Sequence, residues 1–241
     1  MNGDQVKKLD TRHESISRLA PIWKKCRDVR EGQTAIHAEG RLYLPSLSSQ
    51  SNADYNAYKR RAIFYGATSR AVDVFIGMIM RVPPIIDEKS TLIDDISLSG
   101  KSLNDFISAI LEDVMVCGLS GVLLDHTPQV SAIATLAQAK AYGSRPYLAH
   151  FVPESIINWT KKGPFITRVI LKEAEDVAVS EFESKEIEIY RVLDLDEEGN
   201  YRQRVFLRNE KDSNVFIQRG DDIYPLINGA KIREIPFYFI R

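Results

Sequence analysis

Residues 102–125 read SLNDFISAILEDVMVCGLSGVLLD, and the change of pattern inside this stretch decides the fold. Ser102 stands three residues before Asp105, a capping-box-like start for a helix. Leu103, Phe106, Ile107, Ile110, Leu111, Val114 and Met115 then recur at three- and four-residue steps and define one broad apolar stripe. Gly118 and Gly121 form a structural corner that ends the helix, and Val122-Leu123-Leu124-Asp125 reads as a buried strand.

Upstream of this corner the chain reads as helical. A helix is predicted over about 54–80, where Tyr58, Arg61, Phe64, Thr68, Val72, Phe75 and Ile79 keep a helical step. Pro83 and Pro84 stop it, because neither can donate to the helical ladder. Residues 1–52 form an N-terminal arm and loop, with an amphipathic stretch (Ile16, Leu19, Ile22, Trp23) that Pro21 interrupts and a polar run ending in an N-cap candidate. Downstream, Thr127-Pro128 opens an alanine-rich third helix over about 128–142, stopped by Gly143.

After Pro146 the texture becomes β. Strands are predicted over 147–152, 156–159, 165–171, 186–195, 201–208, 215–219, 223–226 and 235–240, with turns at 161–164, 196–200 and Asn228-Gly229. Helices first and an antiparallel meander after them give an α+β protein, divided as 1–52, a helical region 53–145 and a β region 146–241, the last two also readable as one unit.

The chain has 241 residues, 32 Lys+Arg against 33 Asp+Glu, and a formal charge of −1. This composition excludes collagen-like, disulfide-framework, disordered and histone-like classes. Cys26 and Cys117 read as reduced thiols. The neutral total hides an asymmetry: residues 1–85 carry 14 basic and 8 acidic side chains, and residues 151–200 carry 6 and 12. Opposite-signed ends suit a surface that packs against copies of itself, or two solvated faces without a partner. Candidate subunit-interface residues are Arg60, Arg61, Arg70 and Arg81 on one side and Glu181, Glu183 and Glu186 on the other.

Signatures of chemistry are missing from the sequence. It contains no P-loop, no dinucleotide fingerprint, no C-x-x-C and no H-x-x-x-H, so neither a cofactor nor a metal is expected. Gly118-Leu119-Ser120-Gly121 with nearby His126 superficially resembles a hydrolase elbow, but it lacks the G-x-S-x-G spacing and runs helix to strand. Trp23, Trp159, Tyr43, Tyr55 and Tyr58 are not interleaved with basic residues and read as packing aromatics, not base-stacking ones.

Three segments in order carry a family likeness: YKRRAIFYGATSRAVD (58–73) running into IGMIMRVPP (76–84), GKSL (100–103) through CGLSGVLLD (117–125), and RPYL (145–148) leading to PESIINW (153–159). Over roughly 55–240 the chain resembles the portal-type proteins of tailed bacteriophages. The resemblance implies a non-enzymatic structural subunit of a ring, typically of twelve copies, at one capsid vertex of the virion, with double-stranded DNA passing through it without sequence recognition. The implied partners are other copies, the terminase motor, capsid or scaffolding protein and head–tail adaptors, with no membrane. Portal subunits carry stem, clip and tunnel parts beyond the matched region, so residues 1–241 are expected to be the wing-like portion. A phage adaptor domain without a pore is the alternative of a different class, and a hydrolase using Ser120 and His126 a third.

Overall fold

The computed structural model describes residues 5–84, 93–127, 144–227 and 229–241. Five α-helices, α1 (Glu14–Glu31), α2 (Gln33–Glu39), α3 (Asn52–Arg61), α4 (Ala67–Ile79) and α5 (Leu103–Cys117), precede most of the strands. The strands are β1 (Gln5–Lys7), β2 (Ser120–His126), β3 (Pro146–Phe151), β4 (Ile156–Lys162), β5 (Phe165–Ala178), β6 (Ser184–Leu195), β7 (Tyr201–Arg208), β8 (Val215–Gln218), β9 (Leu226–Ile227), β10 (Ala230–Lys231) and β11 (Phe237–Ile240). The α+β order read from the sequence is therefore present. The third helix expected over 128–142 lies outside the described residues. The chain divides into two compact units, 18–120 with Arg241, and 1–17 with 121–240.

In the helical unit, arginines pin one helix to the next. Trp23 of α1 is buried and donates Nε1–H to the Cys117 carbonyl at 2.8 Å, satisfying one of the orphan acceptors at the end of α5. Arg27 meets the buried Asp113 at 2.6 Å. Arg30 bridges Asp73 of α4 (2.7 Å) and Glu112 of α5 (2.9 Å). Helix α1 runs through Pro21 without a break. The proline forfeits one hydrogen bond, and the flanking turns are held by the buried Ile16 before it and Trp23 after it.

The helix expected over 54–80 is corrected to two, α3 and α4. Ala62 is extended (φ −63°, ψ 128°), its carbonyl lies 2.9 Å from His37 Nε2, and the Phe64 amide donates to Gln33 Oε1 at 3.4 Å. Side chains of α2 thus supply the partners that helical bonds would have supplied. The restart at Gly66 follows the weak helix propensity of glycine. Ser51 caps α3 and Ser102 caps α5, each accepting from the amide three residues on.

The β unit is built on a six-stranded antiparallel sheet in the order β1-β8-β7-β6-β5-β4. A three-stranded sheet, β11-β2-β3, and the small β9–β10 hairpin complete it. Alternation in the long sheet feeds two cores. Val169, Leu171, Leu193 and Tyr201 pack with Leu123, Phe151 and Phe237 of the three-stranded sheet. Ile170, Tyr190, Val192, Phe206 and Phe216 face the other way and pack with Leu9. A buried carboxylate, Asp194, accepts from Arg202 (3.0 Å) and Arg204 (2.6 Å), so its charge is compensated where it sits.

The glycine corner joining α5 to β2 uses its two glycines differently. Gly118 ends α5 in the left-handed region (φ 71°, ψ 13°), the usual closing conformation of a helix. Gly121 sits under the core: a Cβ there would lie 2.6 Å from Phe237 Cζ and 3.0 Å from Ile156 Cδ1. Gly121→Ala should therefore cost about 1–3 kcal/mol by overpacking. Gly118→Ala meets nothing within 4 Å and should cost about 1–2 kcal/mol through backbone strain alone. Urea unfolding of both variants checks this; a Gly121→Ala protein as stable as wild type contradicts the packing described.

Candidate subunit interface

The acidic stretch of the sequence is a projecting ribbon. Strand β4 pairs with β5 only over Phe165–Leu171, and β7 pairs with β6 only over Ile189–Leu195. From Ala174 to Ala178 and from Ser184 to Glu188 the two strands pair with each other alone. At about 3.3 Å per residue the five residues of β5 beyond the sheet reach about 17 Å. The tip is closed by Val179 and Ser180 amides donating to the Glu183 carbonyl at 2.8 and 3.1 Å. Phe182, at that tip, is 92% exposed, and Val179 beside it is exposed as well.

Part of the acidity is neutralised locally. Lys172 pairs with Glu188, Arg219 with Glu175, and Arg191 with Glu173. Asp176, Glu181, Glu183 and Glu186 are exposed and have no ion pair among the described residues. The three glutamates singled out in the sequence thus share one end of one element.

On the helical unit, Arg60 and Arg61 end α3, Arg70 lies in α4 and Arg81 just beyond it; all four are exposed. None has an ion pair among the described residues, although the Arg70 guanidinium lies over the Tyr65 ring at 5.1 Å. Between Arg70 and Arg81, Val74, Phe75, Met78 and Ile79 leave an apolar stripe of α4 open. Pro83 and Pro84 follow α4 as exposed residues. Phe75 and Ile79 of the α4 stripe belong to the helical step read in the sequence, where they stand as an apolar face and not as a contact surface; Phe182 carries no sequence signal beyond a lone aromatic between two glutamates.

The most polar part of the β interior is closed on itself. Asp125 accepts from Arg191 (2.7 Å), Tyr147 (3.0 Å), Gln203 (2.9 Å) and the His126 amide (2.9 Å). Arg191 also donates to Glu173 Oε2 at 2.9 Å, and Gln203 to the Tyr201 hydroxyl at 2.9 Å. A cavity of about 360 Å³ opens beside this cluster. Burial pushes the Tyr201 and Tyr147 hydroxyls up, and it raises the Glu173 carboxyl against the pull of Arg191. The Arg191 guanidinium offsets both the Asp125 and the Glu173 carboxylates, and the arrangement is suited to holding β2, β3, β5, β6 and β7 together. Ser120 and His126 open and close the same seven-residue strand, which separates them by about 20 Å, and His126 Nδ1 is 2.8 Å from the Thr127 carbonyl. That geometry does not bring a hydroxyl to an imidazole. No group of His, Cys, Asp and Glu able to hold a metal ion occurs among the described residues, and none of their helices is long and apolar enough to cross a membrane.

No protein-family model matches the chain, and no curated protein matches it.

The cluster carries a pH dependence. A raised carboxyl in the folded state means that ionising Glu173 costs stability, and the cost grows as pH climbs from about 4 through the folded value. The stability difference between wild type and Glu173→Gln should therefore move in favour of the variant as pH rises over that window. Urea unfolding at a series of pH values measures it, and a difference that moves toward wild type contradicts the burial argument.

Proposed function

We propose that this chain is the wing-like portion of a portal-type subunit, a non-enzymatic component of a ring at one vertex of a tailed-phage capsid, through which double-stranded DNA is packaged and ejected. The observation that carries the reading is the ordered set of segments 58–84, 100–125 and 145–159, which resembles that family in sequence and order. In the structure these segments are the frame: α3 with α4, α5 turning into β2, and β3 leading into β4.

Two features of the surface support a protein that works through contacts with other chains. An acidic ribbon with an exposed aromatic tip leaves the sheet, and an apolar helical stripe stands between exposed arginines that have no ion pair among the described residues. The total charge of −1 fits DNA passing by without tight phosphate binding. Other copies, the terminase, capsid or scaffolding protein and head–tail adaptors are the partners of this reading, and the virion vertex its location.

Electron microscopy of the full-length gene product tests the assignment. Closed rings are expected; a monodisperse monomer at high concentration overturns it. Rings that lose their closure when Arg60 and Arg70 are both reversed to Glu would place the helical face in the subunit contact, and assembly left intact by that change removes it.

A further inference from the structure

A cleft of about 570 Å³ lies at the opposite end of the β5–β6 hairpin from its tip. Phe165, where β5 begins, and Leu195, where β6 ends, both line it. Phe165 is 69% exposed and Tyr238 51%, two large aromatic surfaces left open to water. Phe239 forms a further wall, with Lys161 Nζ 5.7 Å from its ring centre. Lys161, Lys162 and Arg233 are exposed on the rim, against one acid, Glu234. None of the three cations has an ion pair among the described residues.

The hairpin tip has the opposite character. Phe182 stands out between Glu181 and Glu183; all three are exposed, and neither glutamate has an ion pair among the described residues. An apolar knob with two negative charges thus matches an aromatic cleft with three positive ones. Tip and cleft belong to the same hairpin, and the thirteen residue steps of β5 from Phe165 to Ala178 hold them about 40 Å apart. A paired ribbon cannot fold back over that distance onto its own base, so the complement must come from another molecule.

We propose that the hairpin tip of one copy docks in the Lys161/Lys162/Arg233 cleft of the next, with Phe182 against Phe165, Tyr238 and Phe239. This deepens the ring reading and rests on it for closure, because the two contacting patches differ. A contact between unlike patches is head-to-tail: it propagates from copy to copy and closes into a ring when the rotation per step allows, where a like-to-like contact would stop at a dimer. The glutamates steer the approach to the cationic rim, and burial of the aromatic tip holds it.

Two variants of the chain make the test. In one the tip is disabled (Phe182→Ala with Glu181→Gln and Glu183→Gln), and in the other the cleft (Lys161→Gln, Lys162→Gln and Arg233→Gln), neutral changes that create no new attraction between the two disabled patches. All six positions are exposed, and circular dichroism and thermal melts verify that both proteins fold. In sedimentation velocity over a concentration series, wild type should self-associate and each variant alone should do so at least tenfold more weakly. Mixed in equal amounts, the two variants hold one intact tip and one intact cleft between them, so they should form a heterodimer that grows no further.

Wild type that stays monomeric throughout overturns the proposal, as does either variant that associates like wild type, or a mixture that forms no heterodimer. Association lost on reversing Arg60 and Arg70 but kept by the cleft variant overturns it in favour of the helical face. The ring reading is separable from the contact. Rings assembled by the tip variant leave the ring standing and remove the contact, whereas wild type that forms open head-to-tail filaments, with the heterodimer result intact, leaves the contact standing and removes the ring.

Discussion

The antiparallel pairing of β5 with β6 is the constraint on which the β unit depends. Eleven residues of each strand, from Arg168 opposite Asp194 to Ala178 opposite Ser184, are held in one unbroken register. That register sends Val169, Leu171 and Leu193 to one core and Ile170, Tyr190 and Val192 to the other. Because both faces are buried near the base, a slip by one residue would turn each set of side chains toward the wrong core. The polar cluster depends on the same pairing, since Arg191 faces Leu171 across the ladder and reaches Asp125 on one side and Glu173 on the other.

A second constraint operates where the helices give way to strands. Gly121 lets Phe237 and Ile156 close over the start of β2, so the three-stranded sheet can lie against the long one without a gap. Gly118 meets a different demand, a backbone turn that a side chain would strain. Two glycines three residues apart are thus kept for unrelated reasons, one steric and one conformational.

Much of this was legible in the sequence because it is local. The Ser102 cap, the stripe of α5, the glycine corner and the Asp196–Asn200 turn each declare themselves within a few residues. What was missed depends on partners far away in the chain. The break between α3 and α4 is stabilised by His37 and Gln33, some 25 and 31 residues upstream, and no periodicity in 54–80 signals it. The ribbon was hidden for another reason: Glu173-Ala174-Glu175-Asp176 has poor strand propensity and becomes a strand because β6 is in register beside it. Among the candidate interface residues, the run of glutamates was readable as charge, but only the hairpin geometry places Glu181, Glu183 and Phe182 together at a tip. Arg60, Arg61, Arg70 and Arg81 were readable as helix-borne cations, and that none has an ion pair among the described residues is a property of the packing.

The length of the hairpin also makes it a ruler. Since side chains alternate along a strand, adding or removing two residues in each of β5 and β6 would change its reach by about 7 Å and leave the orientation of every flanking side chain intact. A change of one residue would instead rotate the tip to the other side. Spacing between its two ends is therefore adjustable only in even steps, each leaving both ends chemically untouched. Related chains could vary the distance they span by inserting or deleting residue pairs in this one element while keeping the rest of the sheet as it is.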